Sequence, residues 1–150
     1  MAPKFLVVDV TDVQGAVIEP TRLAQAEAVH RQLRERLPTD YAGRLREIFA
    51  NGARMCVVVE GEAVRALAVW RLIENTYEGR RLYVDDIVTD QAQRSRGFGK
   101  ILIDYLERHA QKLKCDVLAL DSGTQRQEAH RFYFREGLVI PAFCFGKRLK

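Results

Sequence analysis

The sequence predicts an α/β fold of the α+β type, with one mixed, mainly antiparallel twisted sheet of six to seven strands and helices on both faces. Three observations lead to this fold class. Short apolar segments of strand length alternate with segments whose apolar residues have helical spacing. Two apolar segments on either side of Gly61 have the pattern of a hairpin. After residue 81, a strand, a helix and a second strand follow each other, as in a crossover between parallel strands.

The first half of the chain is expected to hold two helices between strands. Residues 5–10 are apolar except for Asp9 and predict the first strand. Apolar residues recur at steps of three and four over residues 21–37, which predicts a helix that Pro38 ends. Asp40 is placed to cap a second helix, which stops at Asn51 and Gly52.

The second half alternates between strands and helices. Residues 55–60 and 63–73 form the expected hairpin, and residues 81–89 a further strand. A helix is then predicted over residues 97–114 and a buried strand over residues 116–121. A second helix over residues 125–136 ends at Gly137, and residues 139–145 are predicted as a closing strand.

Composition limits the classes of function. The chain has 150 residues, which predicts one domain, and 24 Lys and Arg against 20 Asp and Glu, so its net charge is +4. The basic residues are spread along the chain without interleaved aromatic residues, so we expect no nucleic-acid partner. Apolar runs are too short for a membrane span and no signal-peptide pattern is present, which favours a cytoplasmic location. Three widely spaced cysteines show no metal-ligand pattern, and no metal is expected.

The segment between residues 94 and 99, Arg-Ser-Arg-Gly-Phe-Gly, is the most informative in the chain. It precedes a predicted helix, whose first N–H groups and dipole favour a phosphate or pyrophosphate. A dinucleotide-binding fingerprint would require glycine at Leu102, and a P-loop would require Ser or Thr at Ile101. Both of those loop types are therefore excluded, and from this segment alone a helix start whose glycines serve packing stays open as an alternative.

Two further motifs give this loop a context. The strand before it contains Asp85 and Asp86, followed by Ile87 and Val88, and a later segment reads Ala-His-Arg-Phe-Tyr-Phe-Arg-Glu-Gly-Leu over residues 129–138. In this order and spacing, the three motifs resemble the GNAT superfamily of acetyl-CoA-dependent N-acetyltransferases. The resemblance covers about residues 81–145. It implies a single N-acetyltransferase domain over residues 1–150, in which two central parallel strands splay apart.

The resemblance also implies where acetyl-CoA binds as cosubstrate. Backbone N–H groups of the loop would hold its pyrophosphate, and the backbone near Ile87 and Val88 would pair with the amides of its pantetheine arm. Ala129 and Phe132 would pack beside the cofactor. The loop residues implied in this way are Arg94, Ser95, Arg96, Gly97, Phe98, Gly99 and Lys100.

For catalysis, the resemblance places Tyr133 at the position of the family's general acid. It places Asp85 where some polyamine and amino-acid acetyltransferases carry a base that acts through water. Adjacent strand residues are expected on opposite faces, so Asp86 is interpreted as structural. Asp86, Asp121 or a chain of water molecules stay open as alternatives for the base. The chain departs from the family pattern at Leu138, where Phe is common, and at Arg126, where Asn is frequent.

The expected activity is direct transfer of acetyl to a primary amine in a ternary complex. A small-molecule amine is favoured over a protein, and the family allows for a homodimer through the terminal strand. The alternative is a catalytically silent acyl-CoA sensor or interaction module on the same fold.

Overall fold

The computed structural model describes residues 4–150, which divide into two compact units, residues 4–119 and 120–150. Together these described residues contain one sheet of five strands in the order β1-β2-β3-β4-β5. The strands are β1 Phe5–Asp9, β2 Arg54–Glu60, β3 Ala63–Asn75, β4 Gly79–Thr89 and β5 Val117–Leu120. The helices are α1 Pro20–Leu33, α2 Tyr41–Ala50, α3 Phe98–Lys112 and α4 Gln127–Arg135.

The sheet is mixed, as predicted, and the first four strands are antiparallel neighbours. At the start of β5 the Asp116 N–H donates to the Arg80 carbonyl, 2.6 Å away, near the start of β4. Two strands that start side by side run in the same direction, so β4 and β5 are parallel. The expected splay between them stays a prediction, as does the single domain over residues 1–150.

The prediction of six to seven strands is wrong, because residues 139–145 form no strand. Residues 139–150 have no regular secondary structure, and their apolar side chains are exposed, with Phe143 at 81% and Phe145 at 94%. A strand needs a neighbour that takes its backbone hydrogen bonds and covers its apolar face. Pro141 also lacks an N–H group to donate. The apolar run of residues 139–145, which predicted a strand, therefore forms none.

In the first unit, helices cover both faces of the sheet. One face packs against α1 and α2 in a core that includes Leu23, Val29, Leu45, Phe49, Met55, Val57, Leu67 and Val69. On the other face, the buried ring of Phe98 in α3 meets Phe5 edge to face, with centroids 5.1 Å apart. Trp70, which is 8% exposed, meets His109 of α3 in the same manner at 4.9 Å.

Helix α1 ends earlier than its apolar pattern predicted, at Leu33 instead of residue 37. Arg34 leaves the helical conformation, with φ −122° and ψ 78°. The guanidinium of Arg31 then donates to the carbonyl oxygens of Leu37 and Pro38, at 2.6 and 2.7 Å. These bonds replace helical ones and fold the segment back toward α1. Helix α2 is capped as predicted, since the Asp40 carboxylate accepts from the Gly43 N–H at 3.0 Å.

No helix within residues 4–150 has the length and apolar character needed to cross a membrane.

Candidate functional site

A β-bulge in β4 determines how Asp85 and Asp86 are placed. Val69 of β3 pairs with Asp86 and the next residue, Trp70, pairs with Val84, so Asp85 has no partner residue opposite it. An extra residue of this kind disrupts the alternation of faces. The expectation that Asp85 and Asp86 lie on opposite faces is therefore wrong: both border the same cavity.

The cavity has a volume of about 440 Å³ and lies in the first unit, among α1, α2, β3 and β4. Its polar wall is formed by His30, Arg34, Arg44, Arg71, Tyr83, Asp85 and Asp86. Its apolar wall is formed by Leu37, Leu45, Ile48 and Val69. This size and this mixture of apolar and polar groups suit a small-molecule ligand.

Asp85 is held by one arginine of the neighbouring strand. Its Oδ2 accepts from Arg71 Nη2 at 2.5 Å and from Nε at 3.0 Å, while its Oδ1 has a longer contact, 3.1 Å, with Nε. The hydrogen bonds to Asp85 raise the pKa of Arg71, against the opposing effect of partial burial. Oδ1 is thus the oxygen of this carboxylate with more acceptor capacity to spare.

Asp86 is held more tightly, by two residues of α1 and its C-terminal end. Its Oδ2 lies 2.7 Å from His30 Nε2, and its Oδ1 lies 2.5 Å from Arg34 Nη2. Burial raises the pKa of Asp86, but His30 and Arg34 outweigh burial and the net pKa is lowered. Arg34 also donates to the backbone carbonyl of Asp85 at 3.1 Å, so it clamps the bulge itself.

The structure places His30 of α1 inside this network. It is 2% exposed, and its Nδ1 lies 2.8 Å from the hydroxyl of Tyr41, the first residue of α2. Burial raises the pKa of Tyr41, so its hydroxyl keeps its proton and can donate to Nδ1. The sequence signal was present, because His30 occupies an apolar position of the α1 pattern, where a buried histidine needs polar partners.

The glycine loop forms the N-terminus of α3, as predicted. Gly97 is the N-cap residue with a φ of +88°, and Ser95 also has a positive φ, of 65°. A Cβ added at Gly97 would meet no atom within 4 Å, and no side chain caps this helix. The segment from Arg94 to Gly97 is exposed. Open space beside an uncapped helix start fits a pyrophosphate group.

The two arginines of the loop differ. Arg96 makes two hydrogen bonds to the Glu60 carboxylate, at 2.6 and 3.1 Å, and its guanidinium lies over the Phe98 ring. Its hydrogen bonds to Glu60 lower the pKa of that carboxyl to about 2. Arg96 therefore already has a carboxylate partner at the end of β2. Arg94 is exposed beside it.

The two predicted pantetheine contacts lie on β4. Val88 is 9% exposed and belongs to the core beside α1 and α2, whereas Ile87, its neighbour, is only partly buried. In the ladder they pair with Leu67 and Ala68 of β3.

In the second unit, α4 carries the other residues expected to act. Tyr133 is 8% exposed and Phe132 and Ala129 are partly buried. Burial raises the pKa of Tyr133, although Arg126 has a smaller, opposite effect. The hydroxyl therefore keeps its proton at neutral pH. Arg126, the departure from the family pattern noted above, is the N-cap residue of α4.

Comparison with known proteins identifies the class. The model of the acetyltransferase (GNAT) family matches residues 22–137, so the chain belongs to that family. It is an acyltransferase, and its acetyl donor is acetyl-CoA.

Individual relatives agree with the family. The uncharacterized N-acetyltransferase YhdJ of Bacillus subtilis is 33% identical over 127 residues, which cover 83% of this chain and 89% of YhdJ. The aminoalkylphosphonate N-acetyltransferase of Salmonella typhimurium is 30% identical over 66 residues, 44% of this chain and 43% of that protein. In fold, the chain is similar to the aminoglycoside N-acetyltransferase AAC(6')-Iy solved with CoA, with a TM-score of 0.81 at 16% identity, over 96% of this chain and 93% of the other.

Proposed function

We propose that this protein transfers the acetyl group of acetyl-CoA to the primary amine of a small molecule, by direct attack in a ternary complex. The observation that carries the proposal is the bulge at Asp85, which brings two carboxylates to one cavity of small-molecule size in a chain of the acetyltransferase family. The name of the Salmonella relative, an aminoalkylphosphonate N-acetyltransferase, also supports a small-molecule acceptor.

The first requirement of the reaction is a free amine. A primary ammonium with a pKa near 10 is almost wholly protonated at pH 7, so a base must remove a proton. Asp85 takes this role, directly or through water. Its Oδ1 has acceptor capacity to spare, whereas both oxygens of Asp86 are engaged by His30 and Arg34. Asp86 and its partners then serve to hold the bulge in place.

The bonds change in one addition and one elimination. The amine nitrogen attacks the thioester carbonyl carbon, and the new C–N bond gives a tetrahedral intermediate whose oxyanion backbone N–H groups stabilise. The nitrogen then loses its second proton to water, the C–S bond breaks as the neutral amide forms, and CoA leaves as a thiolate. Tyr133 donates a proton to this sulfur and regains one from water; burial keeps its hydroxyl protonated, and so able to donate, at neutral pH.

The donor substrate is held by the chain's own backbone. The N–H groups of the loop from Arg94 through Ser95, Arg96, Gly97, Phe98 and Gly99 to Lys100 bind the pyrophosphate, with Arg94 as the nearby cation. The backbone at Ile87 and Val88 pairs with the pantetheine amides, and Ala129 and Phe132 pack beside them. The eleven residues of β4 against the four of β5 support this pairing, because β4 extends beyond its short parallel neighbour.

A cytoplasmic location and a homodimer belong to this proposal as well. The location rests on the sequence pattern, and the homodimer rests on the resemblance to the family.

The test is release of CoA thiol by the purified full chain over a panel of primary amines, with the acetylated product identified by mass spectrometry. Asp85→Asn should lower kcat by about 100-fold, the usual contribution of a general base, and leave the affinity for acetyl-CoA unchanged. Glu74→Gln is the matched control, because its carboxylate belongs to an exposed ion pair with Arg80 on the same two strands. Acetyl-CoA binding without turnover of any amine would instead support a catalytically silent module.

A further inference from the structure

The charges that line the cavity indicate what kind of amine it accepts. Three arginines and two aspartates border it, which leaves an excess of one positive charge when His30 is not counted. Each aspartate already has its own arginine: Asp85 is paired with Arg71 and Asp86 with Arg34. The unmatched positive charge is therefore that of Arg44.

Arg44 has a partner, but a weak and external one. Its Nη1 lies 3.0 Å from Glu47 one turn along α2, and the two side chains are 49% and 67% exposed. Exposed ion pairs of this kind contribute little free energy, since water and salt compete for both groups. Glu47 does not border the cavity, whereas Arg44 does. The Arg44 guanidinium can thus leave Glu47 and bind an anion inside the cavity with little loss of free energy.

We propose that the acceptor is a zwitterionic small molecule, a primary amine that also carries a carboxylate or phosphonate, and that Arg44 binds its acidic group. This inference rests on the proposed function. The amine faces Asp85, and the short carbon chain between the two charged groups packs against Leu45, Ile48 and Val69. An arginine suits both carboxylates and phosphonates, because its planar fork donates two parallel hydrogen bonds to either.

The same charges disfavour polycationic acceptors. A polyamine or aminoglycoside would bring several positive charges to a wall that already has an excess of arginine. Its additional ammonium groups would find both carboxylates already neutralised by Arg71 and Arg34. The cavity therefore selects an acidic amine in two ways: Arg44 attracts its acidic group, and the excess positive charge repels polycations.

The experiment compares matched amines in the thiol-release assay with the full chain. β-Alanine and 2-aminoethylphosphonate are the acidic amines, propylamine and 3-aminopropanol lack the acidic group, and spermidine and neamine are the polycations. We expect kcat/KM to be about tenfold or more higher for the acidic amines, the equivalent of one hydrogen-bonded charge. The two acidic amines show whether carboxylate or phosphonate is preferred.

Variants on α2 assign the preference to one side chain. Arg44→Gln should reduce the ratio of kcat/KM for an acidic amine to that for its neutral counterpart by about tenfold, through KM. Arg46→Gln is the matched control: Arg46 is an exposed arginine of the same helix that does not border the cavity, so the ratio should stay unchanged. Glu47→Gln, which releases Arg44, should keep the preference for acidic amines.

The outcomes separate this inference from the proposed function. Faster acetylation of neutral or polycationic amines overturns the zwitterionic acceptor and leaves the acetyltransferase activity in place. Equal effects of Arg44→Gln and Arg46→Gln on the ratio overturn the assignment to Arg44. Acetyl-CoA binding with no acetylation of any amine overturns the proposed function, and this inference with it.

Discussion

Asp85 and Asp86 are neighbours in β4, yet different partners hold them. Asp86 is bound through both carboxylate oxygens by His30 and Arg34, whereas within residues 4–150 the carboxylate of Asp85 is bound by Arg71 and keeps one less occupied oxygen. The two carboxylates are chemically identical, but Asp85 is better placed to accept a further proton or hydrogen bond. We assign proton removal to Asp85 and the positioning of the strand to Asp86.

Tyr133 gives the sharpest test at a single side chain. Tyr133→Phe should lower kcat by about 100-fold and leave the dissociation constant of acetyl-CoA nearly unchanged, since only the proton donor is lost. Tyr77→Phe, at a tyrosine that is 69% exposed, is the control and should change neither quantity. Unchanged turnover in Tyr133→Phe would remove this residue from the mechanism.

The pH dependence follows from the same residue. Burial raises the pKa of Tyr133, so the acid form persists above the usual tyrosine value of about 10. Any loss of kcat caused by ionisation of Tyr133 should thus begin only above pH 10. A decrease of kcat with rising pH that begins below pH 9 in the parent protein and is absent in Tyr133→Phe would contradict the raised pKa of Tyr133.

Among the elements, α1 and β4 are joined by the contacts of Asp86. Because the pKa of Asp86 is lowered in the folded state, its contribution to stability is complete above the unfolded value of about 3.9 and is lost as pH falls through the folded value. Asp86→Asn should lower the free energy of unfolding at pH 7 by about 3 kcal/mol, since it leaves His30 and Arg34 without their carboxylate.

Urea unfolding measured at several pH values checks this link. The variant should lose stability less steeply than the parent protein as the pH is lowered toward 2. Glu74→Gln, which removes an exposed pair with a 3.6 Å separation, should keep the parent's dependence on pH. The same dependence in Asp86→Asn as in the parent would show that Asp86 does not couple folding to pH.

The loop before α3 makes a separate prediction. Gly97→Ala and Gly52→Ala each place a Cβ at a positive φ with no atom within 4 Å, so each should cost about 1 kcal/mol in stability. Only Gly97→Ala should also weaken acetyl-CoA binding, by about tenfold, because it alone disturbs the N–H groups that we propose bind the pyrophosphate. Equal affinities of the two variants, measured by calorimetry, would contradict the role of the loop.

The elements also show where sequence reasoning succeeds. Local signals predicted the Asp40 cap and the helix start at Gly97, because both depend on side chains and dihedral angles within a few residues. The bulge at Asp85 could not be predicted, since it is a property of the ladder with β3 and not of β4 alone. Whether residues 139–145 form a strand also depends on a neighbouring strand and not on their own sequence, and no strand forms there.

For the whole molecule, the family and the donor were predictable and the acceptor was not. The loop, the acidic strand and the α4 motif lie at fixed spacings, and the family model that matches residues 22–137 confirms the resemblance they suggested. The cavity that we assign to the acceptor is formed by side chains from two segments, residues 30–48 and 69–86, among them Arg44, which no motif indicated. Its charge emerges only when the chain is folded.

Direct attack in a ternary complex is the central claim, and initial-rate kinetics test it most directly. Both acetyl-CoA and the best amine of the panel are varied, and reciprocal rates are plotted against reciprocal amine concentration. One line is obtained for each fixed concentration of acetyl-CoA. Because both substrates must be bound before the acetyl group is transferred, we predict that these lines intersect. Parallel lines, together with a stable acetylated form of the protein detected by mass spectrometry in the absence of amine, would contradict direct attack.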